Sequence, residues 1–443
     1  MKFLKINLIP TALAILLSTA PLAVADTTTV LTFNQEFINW VDPHVATFAF
    51  PEGGPLYSQI TLRMEIGCPG SPGDCDPWDR LGQLHVRVPT SDSTYQRYEI
   101  ARFITPYDIT GGGGPGTCSW EFDVTDYQTL LHDSVTLSVY ITTWIGGNRG
   151  WLITAVFEMI EGAPDPEPYL VTNLWDVGYL VYGDPDNPPE SHIEPVAMVA
   201  DESTEMIRVR VTCTGHGQGN THNAAEFSQK WHCVWIGAAD FQHDLWRDDC
   251  EHNTCSPQGG TWRYDRAGWC PGDKVEPWDN SYLDFSPGET IDFYYEIEPY
   301  ENFCRPTNPE CVSGVTCTDC NYNSTGHTEP NYCLMVQAIF YRTPLSSNPR
   351  ERAGVPAEIE LLQNYPNPFN PQTTIRFTLP SPGITRLAVY NTSGQQVARL
   401  VQDYLSAGPY EVTFDGSHLT SGVYFYTLDF RGTNTTRKLL LLK

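Results

Sequence analysis

Alternation of apolar and polar residues is the dominant pattern along this chain. Thr61-Leu62-Arg63-Met64-Glu65-Ile66, Gln83-Leu84-His85-Val86-Arg87-Val88 and Ser138-Val139-Tyr140-Ile141-Thr142 each place apolar side chains on one face of a strand and polar ones on the other. No helical period of useful length competes with them. Near the C-terminus six more runs read as strands: Thr374 to Leu379, Arg386 to Tyr390, Gln396 to Val401, Tyr410 to Phe414, Val423 to Phe430 and Arg437 to Leu442. Asn391-Thr392-Ser393-Gly394 marks a tight turn between the second and third of these. With 35 Gly and 35 Pro in 443 residues, the composition fits short strands joined by turns. The pattern predicts an all-β protein.

Breaks in that pattern divide the chain. Residues 1–25 read as a secretory signal, because Lys2 and Lys5 precede the apolar run Ala12 to Leu17, and Ala23-Val24-Ala25 offers a small-residue cleavage site. A proline-rich link at Glu161-Gly162-Ala163-Pro164-Asp165-Pro166-Glu167-Pro168 separates a first module, 26–163, from a second, 164–343. Residues 344–358 form a linker, and 359–443 a compact tail read as an immunoglobulin-like sandwich. No later apolar run approaches the roughly 20 residues a membrane-crossing helix needs, so the expectation is an exported protein without a transmembrane segment.

Charge and cysteine content narrow the class. Formal net charge is −27, and residues 361–443 hold seven Lys/Arg against four Asp/Glu, which leaves −30 on residues 1–360. An acidic body of that strength argues against nucleic acid as a partner. Thirteen cysteines in an exported chain point to disulfides, with an odd thiol left over; Cys118, isolated behind Gly111-Gly112-Gly113-Gly114-Pro115, is the expected leftover. Cys317-x2-Cys320 has a spacing that also suits zinc, but an oxidising compartment favours bridges.

The candidate chemistry lies in Cys68-x6-Cys75-Asp76-Pro77-Trp78-Asp79-Arg80. If the two cysteines are bridged, this short loop presents Asp79 stiffly beside a guanidinium (Arg80) and an indole face (Trp78), a sugar-sized site with a carboxylate in it. About twenty residues later comes Glu99-Ile100-Ala101-Arg102-Phe103-Ile104-Thr105-Pro106-Tyr107. Together these strings resemble the peptide-N-glycosidase F family, whose second string differs from this one at one position of nine. Asp265-Arg266-Ala267-Gly268-Trp269-Cys270-Pro271-Gly272 also resembles that family's string, without a substitution.

The resemblance implies two antiparallel jelly rolls side by side over residues 27–343. It implies catalytic roles for Asp79, Glu226, Arg80 and Arg266, sugar stacking by Trp144 and Trp78, bridges Cys68–Cys75 and Cys250–Cys270, and no cofactor or metal. The implied reaction is hydrolysis of the amide joining asparagine to the first N-acetylglucosamine of an N-linked glycan, on a glycoprotein or glycopeptide. Thr142 stands where the family has a third acid, and His216, in a Gly-x-Gly turn, where it has a second tryptophan, so one face of the sugar platform becomes smaller and ionisable.

Ala224 and Ser228 replace a family cysteine pair, and the family lacks the Cys-rich insertion near 302–332. The partners of Cys213, Cys233, Cys255 and the insertion cysteines stay open. The tail, opening Leu361-Leu362-Gln363-Asn364-Tyr365-Pro366-Asn367-Pro368, resembles the C-terminal sorting domain of type IX secretion, which implies that machinery as partner and a place outside, or on the surface of, a diderm bacterium. Two further classes remain in view. One is a non-catalytic glycan-binding or adhesin-like surface protein. The other is a metal-dependent monooxygenase of the related double-jelly-roll class, although Gly215-His216-Gly217 followed by His222 lacks the His-x-His pair its copper site needs.

Overall fold

The computed structural model describes residues 26–443 apart from 54–55, 92–93, 111–115, 306, 313–314, 318–319, 321–328, 343–358, 381–382, 406–407 and 431–432. The expected signal segment and linker lie outside the described residues, as does part of the insertion. Among the described residues no helix is long and apolar enough to cross a membrane.

Each of the first two modules is a sandwich of two sheets. In the first, one sheet runs in the order Thr27–Leu31, Arg149–Glu161, Tyr57–Gly67, Thr117–Asp123, and the other His44–Ala49, Ser134–Ile141, Leu81–Pro89, Tyr95–Ile104. All of these pairings are antiparallel. Tyr57–Gly67 buries alternate residues Ile60, Leu62, Met64 and Ile66 against Leu84, Val86, Leu137 and Val139 from the facing sheet, as its pattern predicts.

The second module pairs a sheet of Glu167–Val181, Asn331–Arg342, Met206–His216 and Trp278–Tyr282 with one of Val196–Val199, Thr290–Ile297, Lys230–Ile236 and Ala239–Leu245. The tail is a third sandwich, of a three-stranded and a four-stranded sheet around Phe369, Phe377, Leu387, Tyr426 and Leu439. All six predicted tail strands are present. Asn391 closes the turn between two of them by accepting from the backbone N–H groups of Ser393 and Gln395 at 3.0 Å, with Gly394 at φ +78°.

The three early strands were expected to have one buried face. Leu81–Pro89 has two, because Gln83 and His85 on its polar face are also buried. Asn331–Arg342 of the second module is likewise buried at every position except the last. These two strands meet where the sandwiches abut.

At the centre of that seam Arg102, 1% exposed, donates from Nε and Nη2 to Glu99 at 2.6 and 2.8 Å. Its Nη1 crosses to the Cys333 carbonyl at 2.6 Å. Around it Gln83 donates to Glu99 at 2.6 Å, Tyr127 to Gln337 at 2.6 Å, and Arg208 and Arg210 reach Asp126 at 3.1 and 3.0 Å. A buried charge is tolerated only when its partners are in place.

Cys118 is not the leftover thiol: it bridges to Cys255 and so ties the two modules covalently. It had looked isolated because its partner is 137 residues away. Cys68–Cys75 and Cys250–Cys270 form as the family resemblance implied. The insertion cysteines close as Cys304–Cys320 and Cys311–Cys317, so Cys317 and Cys320 of the zinc-like spacing belong to different bridges. Cys213, Cys233 and Cys333 are buried thiols.

Replacing Arg102 by leucine strands Glu99 as an unpaired buried carboxylate and leaves the Cys333 carbonyl without its donor. Urea unfolding of Arg102→Leu should show a loss of about 3–5 kcal/mol relative to wild type. A loss below about 1 kcal/mol would mean that the seam does not depend on this ion pair.

Candidate active site

The turn after Cys75 is built around a residue that the sequence reading passed over. Asp76, fully buried, accepts from Arg80 Nε at 2.8 Å, from Thr143 Oγ1 at 2.5 Å and from the Trp78 backbone N–H at 3.1 Å. Arg80 therefore turns toward Asp76, and its guanidinium lies 3.8 Å from the centre of the Trp144 ring. Thr105 Oγ1 accepts from the Arg80 backbone N–H at 2.7 Å and donates to the Trp78 carbonyl at 2.9 Å. With Pro77 accepting from the Asp108 N–H at 2.8 Å, the turn is strapped to the end of Tyr95–Ile104, leaving little freedom at Asp79. Trp78 and Trp144 are 53% and 58% exposed, which suits a platform and not a core.

Glu226 comes from the second module. Its Oε2 accepts from the Gly217 backbone N–H at 3.0 Å, and its Oε1 lies 3.8 Å from Arg266 Nε. Two glycines make this possible. A Cβ on Gly215 would sit 1.6 Å from the Ala225 carbonyl oxygen, and Gly217 has φ +108° with its Cα pressed on Glu329. His216, between them, contacts Thr214 Oγ1 at 2.9 Å and lies 5.3 Å from the Trp269 ring. Burial and then the Arg102 charge push its pKa down to about 3, so it is a neutral ring near neutral pH, correcting the expectation of an ionisable face.

Arg266, 2% exposed, donates from Nη1 to the carbonyls of Thr261 and Tyr264 at 3.1 and 2.8 Å and is sandwiched by Phe227 and Trp269. Its Nε has no hydrogen-bond partner among the described residues. The loop that carries it folds over the first module. Tyr107 N–H donates to Gln258 Oε1 at 2.8 Å, Gly259 N–H to the Tyr107 carbonyl at 3.0 Å, and Gly260, at φ +59°, packs its Cα on the Tyr107 ring. The Cys118–Cys255 bridge anchors the start of this loop.

Arg266 thereby serves both acids. Burial pushes the Asp79 carboxyl up to about 6, opposed mainly by Arg266 and less by Arg80. Burial likewise pushes Glu226 up to about 7, with Arg266 lowering it and the Asp79 charge raising it further. The two carboxyls thus interact across the seam, one ionising before the other. Tyr107 lies in the field of both Asp79 and Arg266, another neighbour that the sequence reading gave no role.

Thr142 binds the Leu81 carbonyl through its backbone and lines a cavity running from this site along the seam. Among the described residues the cluster of metal-type side chains is Cys311, Cys317 and Cys320, all of which are in disulfides.

The double jelly roll brings a carboxyl from each module, Asp79 and Glu226, into the field of Arg266. The chain belongs to the peptide-N-glycosidase F family. The family models for peptide-N-glycosidase F, N terminal and C terminal, match residues 51–156 and 187–306, and that for a secretion system C-terminal sorting domain matches 363–442.

Peptide-N(4)-(N-acetyl-beta-D-glucosaminyl)asparagine amidase F of Elizabethkingia miricola is 30% identical over 270 residues, 58% of this chain and 72% of that protein. The solved structure of recombinant N-glycanase F superposes with a TM-score of 0.57 at 26% identity, covering 72% of this chain and 97% of the other. For PNGase F of Flavobacterium meningosepticum, described as a glycosylasparaginase, the values are 0.56, 26%, 73% and 98%. PNGF-II shares the fold, at 0.54 and 13% identity over 73% of this chain and 66% of its own.

The raised Asp79 pKa has a consequence for stability. Folding favours the protonated carboxyl, so the cost of its charge is absent below the ordinary value near 4 and complete above about 6. Asp79→Asn should therefore unfold at a higher temperature than wild type at pH 8, by the equivalent of about 1–3 kcal/mol, with the gap closing toward pH 4. Equal melting temperatures at both pH values would show that Asp79 carries no such burden.

Proposed function

We propose that this protein is an exported amidase that hydrolyses the asparagine–N-acetylglucosamine amide of N-linked glycoproteins or glycopeptides. The observation that carries the reading is the meeting of Asp79 and Glu226 at Arg266, from modules whose sequences are far apart. Near pH 6.5 this pair holds about one proton, with Asp79 ionised and Glu226 protonated as the dominant arrangement.

In that arrangement Asp79 takes a proton from water as the water oxygen attacks the side-chain amide carbon. Arg266, with its free Nε–H, offsets the charge growing on the carbonyl oxygen. Glu226 gives its proton to the departing nitrogen as the C–N bond breaks. Asparagine becomes aspartate, and the glycosylamine loses ammonia to water to give the free glycan. Asp76 contributes by holding Arg80 under Trp144, so that the indole keeps a fixed face for a sugar ring. The acidic body and the sorting domain fit a protein delivered outside the cell through the type IX machinery.

Thr142 removes the family's third carboxylate, which favours a second reading as a glycan-binding protein. One experiment separates the two. Incubation with a defined N-glycopeptide in heavy-oxygen water, followed by mass spectrometry, should give free glycan and oxygen-labelled aspartate, with Asp79→Asn slower by about 10²–10⁴-fold. Retention of intact glycopeptide without release would establish the binding protein instead.

The pH profile gives an independent check. kcat/KM should fall below about pH 6 as Asp79 is protonated and above about pH 7 as Glu226 ionises, and Glu226→Gln should lose the alkaline limb. A flat profile between pH 5 and 8 would remove the acid–base assignment.

A further inference from the structure

The seam contains a cavity of about 470 Å³, within the size range of small-molecule sites. It starts beside the catalytic turn, at Leu81 and Thr142, and continues along the polar faces of Leu81–Pro89 and Ser134–Ile141. Gln83, His85, Ser138 and Tyr140 form one wall. Asp176 and Gly178 of Glu167–Val181 form the other. The lining is mixed: the uncharged hydrogen-bonding groups of Gln83, Ser138 and Tyr140 stand beside charged Arg97 and Asp176 and beside apolar Val41, Pro43 and Leu81.

The charges present are largely cancelled. Arg97 makes a two-pronged pair with Asp176 at 2.7 and 2.8 Å, and the nearby Glu99 is saturated by Arg102 and Gln83. His85 is the exception to this saturation. It is 3% exposed, its Nε2 has no hydrogen-bond partner among the described residues, and the nearest carboxylate oxygen, Glu99 Oε2, is 4.0 Å away. A buried polar atom of this kind is costly unless something completes it. Burial pushes the pKa of this histidine down to about 4, so near neutral pH it offers one donor and one acceptor and no charge. At the mouth, the guanidinium of Arg87 lies 4.5 Å from the centre of the Tyr95 ring, leaving a flat, half-exposed surface.

Resting on the amidase reading, we propose that this cavity is an accessory saccharide subsite, taking neutral sugar units of the same glycan beyond the two core N-acetylglucosamines. Hydroxyl-rich, uncharged rings match the uncharged donors and acceptors that Gln83, Ser138, Tyr140 and Thr142 bring to its lining. A charged ligand would meet an Arg97–Asp176 pair already closed. The loss of the third acid at Thr142 then has a counterpart: binding is shifted from one carboxylate beside the reacting sugar to a longer contact with the rest of the glycan.

The test compares two N-glycopeptides of the same peptide sequence, one carrying only the two-residue N-acetylglucosamine core and one extended with mannose. Wild type should prefer the extended glycan by at least about tenfold in kcat/KM, with the preference lying in KM. Gly178→Trp is the blocking variant, because a Cβ at Gly178 meets nothing within 4 Å and φ there is unstrained. It should reduce the preference to about one, and His85→Gln, which keeps a donor and an acceptor in a different place, should reduce it in part. No preference in wild type, or a preference unchanged by Gly178→Trp, overturns the subsite.

If wild type cleaves neither glycopeptide, the amidase reading fails by itself. The subsite is then decided by titrating free mannose-extended oligosaccharide against wild type and Gly178→Trp by NMR. Weaker binding to the variant by about tenfold supports it, and equal binding or none overturns it.

Discussion

Arg102 is the residue on which this architecture turns. It belongs to the first sandwich, is saturated by Glu99 on its own strand, and spends its remaining donor on a carbonyl in the central strand of the second. That crossing ties Tyr95–Ile104 to Asn331–Arg342, beside the Tyr127–Gln337 bond and the pairs that Arg208 and Arg210 make with Asp126. The same strand end then continues into Thr105 and Tyr107, which hold the Asp79 turn and receive the Arg266 loop. The buried ion pair at the seam therefore lies on the same strand that carries the anchors of the Asp79 turn and the Arg266 loop.

The site's electrostatics follow from the same geometry. Asp79 and Glu226 are each taken far enough from water to raise their pKa, and Arg266 restrains both, with Arg80 adding to its effect on Asp79. The Cys118–Cys255 bridge pins the start of the loop that carries Arg266.

Some of this was legible in the chain. Period-two alternation located Tyr57–Gly67, Leu81–Pro89 and the tail strands, because a strand with one face on its own core must alternate. The turn at Asp79 and the loop at Arg266 were legible through contiguous strings whose residues act locally. Asp76 was not singled out, since an aspartate beside a cysteine carries no signal until Arg80 and Thr143 are seen to converge on it. His216 was read as ionisable because sequence shows a residue type and not its burial.

What the amino-acid sequence determined by itself was therefore the local part, strands and turns, while the family resemblance supplied the short bridge Cys68–Cys75 and pointed to Asp79, Glu226 and Arg266 as candidates. Tertiary structure alone decided that Cys118 has a partner, that the polar face of Leu81–Pro89 is buried, and that Asp79 and Glu226 are both desolvated in each other's field. The physical reason is range. Backbone geometry and side-chain alternation act over a few residues, whereas desolvation, ion pairing and disulfide closure depend on groups that only the packing of two sandwiches brings together.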